Sequence, residues 1–274
     1  TMSSATAETG RGTITASSLG SLDGMFTSGG SVTLVTLGSV SSGTFVQAGS
    51  YQAGTVDVFA ANNINGSYLV TGSVVASAMQ NVKGTYNVTS GTATLFGGDD
   101  ADASVTADGS VVVHAGSEVK NTLTSNNSSV TVGVSGATGG GAISATVQAQ
   151  TGATLTNLLG DVTGAITVAA GGASITADGQ LSSTITTIGG DIVARVTGTI
   201  SSSTLTANNG AIDIATLASI SSAVTANADT TLTAWAGLSI SGTLTADGNV
   251  SLVSQTQNVA GTVTSNTGNV SISA

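Results

Sequence analysis

The sequence contains no cysteine and no proline, and of its 274 residues only 4 are Lys or Arg and 14 are Asp or Glu. Without cysteine there is no disulfide scaffold, no thiolate metal site and no cysteine nucleophile, and the redox compartment is not readable. Charged residues make up 7% of the chain, where a globular protein averages about a quarter, and proline is missing where about 5% is usual. One constraint therefore acts along the whole length. The cations Arg11, Lys83, Lys120 and Arg195 are scattered and the formal net charge is -10, which argues against nucleic acid, whose binding needs clustered Lys and Arg. No apolar run approaches the roughly 20 residues of a membrane helix, so no membrane insertion is expected. The start, TMSSATAETG, lacks the charged-then-apolar layout of a signal peptide and reads as a mature or excised segment. Aromatics, at 3%, are too few for a thick core of the usual kind.

What is present is 38 Gly and an aliphatic content of Val, Ile, Leu and Ala diluted with Thr and Ser. β-Branched residues and Gly favour strands and turns over helices. Disordered chains are low in hydrophobicity and high in charge; this one is the reverse, and its apolar residues recur regularly. The blocks GDIVARVTGTISSSTLTANN (190–209), GAIDIATLASISSAVTANAD (210–229), TTLTAWAGLSISGTLTAD (230–247) and GNVSLVSQTQNVAGTVTSNT (248–267) superpose with almost no gaps. A fixed period in this range is the signature of a solenoid. Each block carries three apolar anchors. The first anchors run from Ile14 and Val32 through Val130, Leu155, Ile175 and Ile192 to Val270, the middle ones include Val40, Ile64, Leu181 and Ile240, and the third run from Phe26, Phe45, Tyr68 and Tyr86 to Leu244 and Val263.

This spacing predicts an all-β fold: a right-handed parallel β-helix, or β-solenoid, of triangular cross-section, with about 14 coils of about 20 residues. It would run as a single continuous solenoid over 1–274, with loop insertions near 35–55 and 133–142, and form a segment of a longer chain or filament. Continuous parallel ladders account for the missing proline, whose ring nitrogen cannot donate. Like charges stacked in neighbouring coils would repel, which accounts for outward Thr and Ser in place of Lys and Glu. Asp108-Gly109, Asp178-Gly179 and Asp247-Gly248, each inside TADG, and Asn126-Asn127 and Asn208-Asn209 mark turns.

The pattern Gly-x-Val-x-Ile/Ala, an apolar residue, then Gly/Ser-Thr-Leu-Thr-Ala resembles the repeats of filamentous-haemagglutinin-type exoproteins over essentially the whole chain, best over 160–274. That resemblance implies a large bacterial surface or secreted protein whose β-helical shaft carries adhesive elements away from the cell. The NPNG-like motif of the family's secretion cap does not occur in this sequence, and no functional residues carry over.

Catalysis on a β-helix needs clustered carboxylates with a Lys, Arg or His. The only dense acidic cluster is Asp99, Asp100 and Asp102 in GGDDAD, a weak candidate calcium turn against the reading of a solvated acidic loop. His114 stands without a sequence-near acid-base partner and reads as a surface residue; Trp235, beside an inward Ala234, faces out and could stack on a sugar. The expectation is therefore no catalytic site, no metal and no cofactor. One outward feature is sharper. Thr122 and Thr124, Thr184 and Thr186, Thr204 and Thr206, Thr243 and Thr245, and Thr262 and Thr264 flank third anchors, so each pair leaves the same face. Such a two-column array is similar to the ice-binding face of β-helical antifreeze proteins, although Ala165, Ala223 and the coils at Tyr68 and Val147 interrupt it and Thr is in any case a good polar β-former. Sequons at Asn65, Asn87 and Asn249 are expected by chance in so Asn-, Ser- and Thr-rich a chain. The expectation for partners is end-to-end or lateral self-association, continuation of the same chain, or a host or surface glycan, in an extracellular or cell-surface location.

Overall fold

The computed structural model describes residues 2–49, 54–136 and 141–274. It is an all-β parallel β-solenoid of about 14 turns set about 19 residues apart, with no helix among the described residues. The coil divides into two compact units, Thr1–Thr138 and Gly139–Ala274. The expected insertions near 35–55 and 133–142 include residues 50–53 and 137–140, which lie outside the described residues.

Each turn opens on a first-face strand, usually of five residues, as in Val32–Thr36, Val74–Ala78, Ile192–Val196 and Leu232–Ala236. Strand periodicity of two buries its first, third and fifth residues and exposes the others. After a corner comes a longer strand, such as Leu22–Ser28, Val82–Val88 or Ile240–Ala246, whose first, fifth and seventh residues are buried and whose third, a glycine, is not. The chain bends at that glycine, so the middle and third faces share one kinked strand. Around Glu118–Lys120 and Thr122–Ser125, and again around Asp161–Val162 and Ala165–Val168, the two faces separate into distinct short strands.

The bend dictates its own residue. At Gly84 φ is +112°, and an added Cβ would lie 2.0 Å from the carbonyl oxygen of Gly66 in the preceding turn. Only glycine combines that backbone region with so close an approach. Gly261 repeats the arrangement over Gly242, at φ +136°.

Hydroxyls close the corners. Ser28 Oγ accepts from Gly30 N–H and donates to the Gly12 carbonyl at 2.6 Å, Thr216 does the same between Ala218 N–H and the Gly198 carbonyl, and Ser125 donates to Gly109 O at 2.8 Å. Each latch satisfies a backbone group that the tight corner would otherwise leave buried and unpaired. Asn157, fully buried, performs the same task with an amide: its Nδ2 donates to the carbonyls of Gly141 and Asp161, and its Oδ1 accepts from the N–H groups of Leu159 and Gly160. Abundant Ser and Thr thus serve the inside of the corners as well as the outside of the faces.

The interior is a stack of side-chain ladders. In the first unit the third-face ladder contains Phe26, Val46, Tyr68 and Tyr86, all buried, with the two tyrosine rings stacked at 4.6 Å and 4° from parallel. In the second unit the same ladder is aliphatic: Val147, Ile166, Ile185, Leu205, Val224 and Leu244. Each such side chain contributes about 1.5–3 kcal/mol on burial.

Three expected anchors are corrected. Ala153 and Ala173, not Leu155 and Ile175, stand in the first-anchor rank, since Ala173 pairs with Ile192 while Ile175 pairs with Ala194. All four are buried, because the first and third residues of a strand both point inward. Phe45 points outward and Val46 takes its place inside: the segment from Val40 to Thr44 is two residues longer than its partner from Ile64 to Gly66, an even number, so Thr44, Val46 and Ala48 keep the inward parity of Val40.

Candidate functional surfaces

On the third face of the second unit the strand register sets threonines directly over one another. Thr184 pairs with Thr204 and Thr243 with Thr262, while Ala165 and Ala223 occupy the other two positions of that column. The neighbouring column is continuous: Thr167, Thr186, Thr206, Thr225, Thr245 and Thr264 follow one another in consecutive turns. The structure thus brings together eight of the ten threonines expected from the sequence and adds Thr167 and Thr225, which the search for Thr-x-Thr pairs missed because an alanine stands beside each. Thr122 and Thr124 belong to the first unit, where Thr124 pairs with Thr106 and the next residue of that column is Asn87. There the face is mixed: Met25 and Phe45 stand in one outward column and Leu69 in the neighbouring one.

The acidic triplet does not converge. Asp99 sits on the corner, and Asp100 and Asp102 start a strand on either side of the inward Ala101. Asp102 lies in register between Lys83 and Lys120 of the adjacent turns, and its Oδ1 accepts from Asn121 Nδ2. Lys120 pairs with Glu118 at 2.7 Å, and this hydrogen bond and charge, with Asp100 and Asp102 adding to it, hold its ammonium above the ordinary lysine range. The cluster is an alternating charge ladder. Among the described residues no three acidic, imidazole or thiol groups are placed to hold a metal.

His114 lies on an outward position of its strand and stacks on Phe96, with ring centroids 5.4 Å apart. It closes an apolar patch on the first unit. Val35, Phe59 and Phe96 are partly exposed on the first face, and Leu19, Leu37 and Met79 project from the adjoining corner, 87%, 64% and 75% exposed.

Trp235 also takes an outward position, in register with Ala215 and Val253. The second unit has a groove of about 490 Å³ here. Its floor includes Ala215, Leu158 and Leu217 wall it, and Arg195, Asp178 and Trp235 line it. Arg195 is fixed in place: Nη1 donates to Asp213 O at 3.0 Å and Ala194 O at 3.2 Å, and Nη2 forms an ion pair with the Asp213 carboxylate. Sequence reading found Trp235 but not its partners, because they come from turns between about 20 and 80 residues away, brought together only by the coil period.

No helix among the described residues is long and apolar enough to cross a membrane. No protein-family model matches the chain, and no curated protein or solved structure matches it either.

Proposed function

We propose that the chain is a structural, adhesin-like shaft or filament segment at the bacterial cell surface or outside the cell, without enzymatic activity, whose task is rigid spacing and surface attachment. The observation that carries the reading is the coil itself. Turn after turn is joined by in-register parallel pairing, corner hydroxyls are spent on the carbonyls of the preceding turn, and side chains stack inside, an arrangement that resists bending and extension. The resemblance of its repeats to filamentous-haemagglutinin-type exoproteins supports the same assignment. Self-association, end to end or lateral, or continuation of the same chain is part of the proposal, since each turn already accepts the next by the same parallel pairing, as Ile212 with Leu232 and Leu232 with Val250. Single-molecule stretching of the purified chain tests the mechanical role. Stepwise unfolding at high force is expected; smooth extension against little force would overturn it.

A second reading is favoured by one observation, the unbroken column of six threonines on the third face of the second unit. A regular array of hydroxyl and methyl groups on a flat parallel sheet is suited to ordering water, and ice is its proposed ligand. Thermal hysteresis of the purified protein, abolished by Thr206→Lys, is expected on this reading; none at high concentration removes it.

A further inference from the structure

We propose that the groove beside Trp235 is a binding site for an uncharged oligosaccharide. The inference goes beyond the shaft reading and does not depend on it, since a carbohydrate groove would serve equally on a coil with another task.

The physical case begins with what a strand ladder normally presents. On an outward column, neighbouring turns stand about 4.8 Å apart, so side chains of ordinary size cover one another and leave no hollow. Here Ala215 lies between Arg195 and Trp235, which are one turn away on either side, about 10 Å from each other along the coil. The small residue opens a gap, and the half-buried indole borders it. On the adjoining corner the column reads Leu158, Asp178, Thr197, Leu217, with the two leucines 55% and 63% exposed at the ends and the shorter residues between. Two columns with a dip at overlapping heights make the groove. Its volume of about 490 Å³ falls inside the range of small-molecule sites.

The chemistry of the lining selects the ligand class. Trp235 is the only tryptophan in the chain, and an exposed indole face attracts the polarised C–H bonds on the apolar side of a pyranose ring. The guanidinium of Arg195 has five N–H donors in a rigid fork, held by Asp213 and the Ala194 carbonyl, and its remaining donor capacity is already oriented before a ligand arrives. Asp178, exposed on the rim, supplies carboxylate oxygens that accept from a vicinal pair of hydroxyls. One aromatic platform, one oriented donor and one acceptor describe a site for a polyol with an apolar face.

Charge narrows the class further. Arg195 is neutralised by Asp213, Asp178 adds a negative charge, and the chain carries a net charge of -10. A phosphate, sulfate or uronate would meet a net repulsive field, so the saccharide is uncharged. The lining comes from five successive turns, from Leu158 to Trp235, a span of about 19 Å, which suits a chain of sugars better than a single ring.

The lone tryptophan reports on its own site. Titration of the full chain with cellohexaose, maltohexaose and mannohexaose, followed by Trp235 fluorescence and by calorimetry, is expected to give a saturable shift with at least one of them. Trp235→Ala is expected to weaken calorimetric binding at least tenfold while leaving the far-ultraviolet circular dichroism unchanged, with Trp235→Phe recovering part of it and Asp178→Asn weakening it severalfold. Absence of any shift at millimolar concentrations of all three, or tighter binding of oligogalacturonate or a sulfated oligosaccharide than of the neutral probes, would overturn the proposal. Either result leaves the stretching experiment untouched, so failure of this site and failure of the shaft are separate outcomes.

Discussion

The two units are built on one coil period but spend their side chains differently. The first, Thr1–Thr138, places aromatics inside, with Phe26, Tyr68 and Tyr86 on one ladder, and large apolar residues outside, with Phe59, Met79 and Phe96 exposed. The second, Gly139–Ala274, keeps that ladder aliphatic and dresses its outer faces with threonine columns and the Arg195–Asp213 pair. The bends differ as well. In the second unit Ser183, Ser203 and Ser222 are buried and each donates to a carbonyl of the preceding turn, to Val162, Leu181 and Ile200 respectively. In the first, the buried hydroxyl of Thr44 at the bend has no hydrogen-bond partner. A solenoid backbone thus constrains the inward parity and the glycine bends tightly, while the outward columns and the width of the interior are free to vary from one stretch to the next.

The difference can be broken most severely at the aromatic ladder. Tyr86→Ala removes a stacked, fully buried ring and is expected to cost about 3–5 kcal/mol, whereas Ile185→Val on the equivalent ladder of the second unit is expected to cost about 0.5–1.5 kcal/mol. Urea unfolding checks this with separable signals, because all three tyrosines lie in the first unit and the only tryptophan in the second. Next in size is the bend. Gly84→Ala forces a non-glycine residue to φ +112° and sets its Cβ against the Gly66 carbonyl, for an expected loss of about 3 kcal/mol. Gly261→Ala has the same local geometry in a turn whose inward Val263 is already partly exposed, and a smaller loss is expected there by the same measurement.

Much of this organisation was legible in the sequence, and the misreadings have a common cause. The period, the parallel coil and the inward Tyr68 and Tyr86 follow from spacing alone. Leu155 and Ile175 were misplaced by two residues because a strand buries alternate positions, so a small Ala153 or Ala173 at the first inward site lets the larger third one pass for the anchor. Phe45 was misplaced by one because hydrophobicity favours Phe over Val, while the register shift between Val40 and Thr44 leaves no mark in composition. The groove was illegible for a different reason. It depends on Ala215 being small between two large neighbours one turn away, and on Asp213 holding Arg195, relations that exist only after the coil has set residues about 20 apart side by side.

Alkaline pH sharpens the comparison without mutation. Burial raises the pKa of both Tyr68 and Tyr86 above the ordinary value near 10. In the unfolded chain these phenols ionise near 10, but in the folded unit they are held neutral, so their contribution is fully present below pH 10 and is lost as pH rises above it. The slope is up to about 1.4 kcal/mol per pH unit for each tyrosine. The second unit contains no tyrosine and has no such term. Between pH 10 and 12 the first unit is expected to unfold at progressively lower urea concentration, with tyrosinate absorbance rising together with unfolding, while the tryptophan-detected transition moves much less. A parallel shift of both transitions would show that the units unfold as one.

The smallest effect separates the two bends by sign. Ser203 Oγ donates to Leu181 O at 2.9 Å and accepts from Ser183 N–H at 3.2 Å, so Ser203→Ala takes this partner from the buried Ser183 N–H and leaves Leu181 O with the Ser201 N–H alone. A loss of about 1–3 kcal/mol is expected. Thr44→Val also removes one buried hydroxyl, but one without a hydrogen-bond partner, dehydrated on folding without compensation. Because Val keeps the shape of the side chain, this change is expected to be neutral or to stabilise the first unit by up to about 1 kcal/mol. Only the Ser203→Ala midpoint therefore falls if the Ser203 hydroxyl is a structural bond and the Thr44 hydroxyl a tolerated cost. Equal destabilisation by the two substitutions would mean that the Thr44 hydroxyl has a partner inside the coil after all, and that the two bends do not differ in how they satisfy buried polar groups.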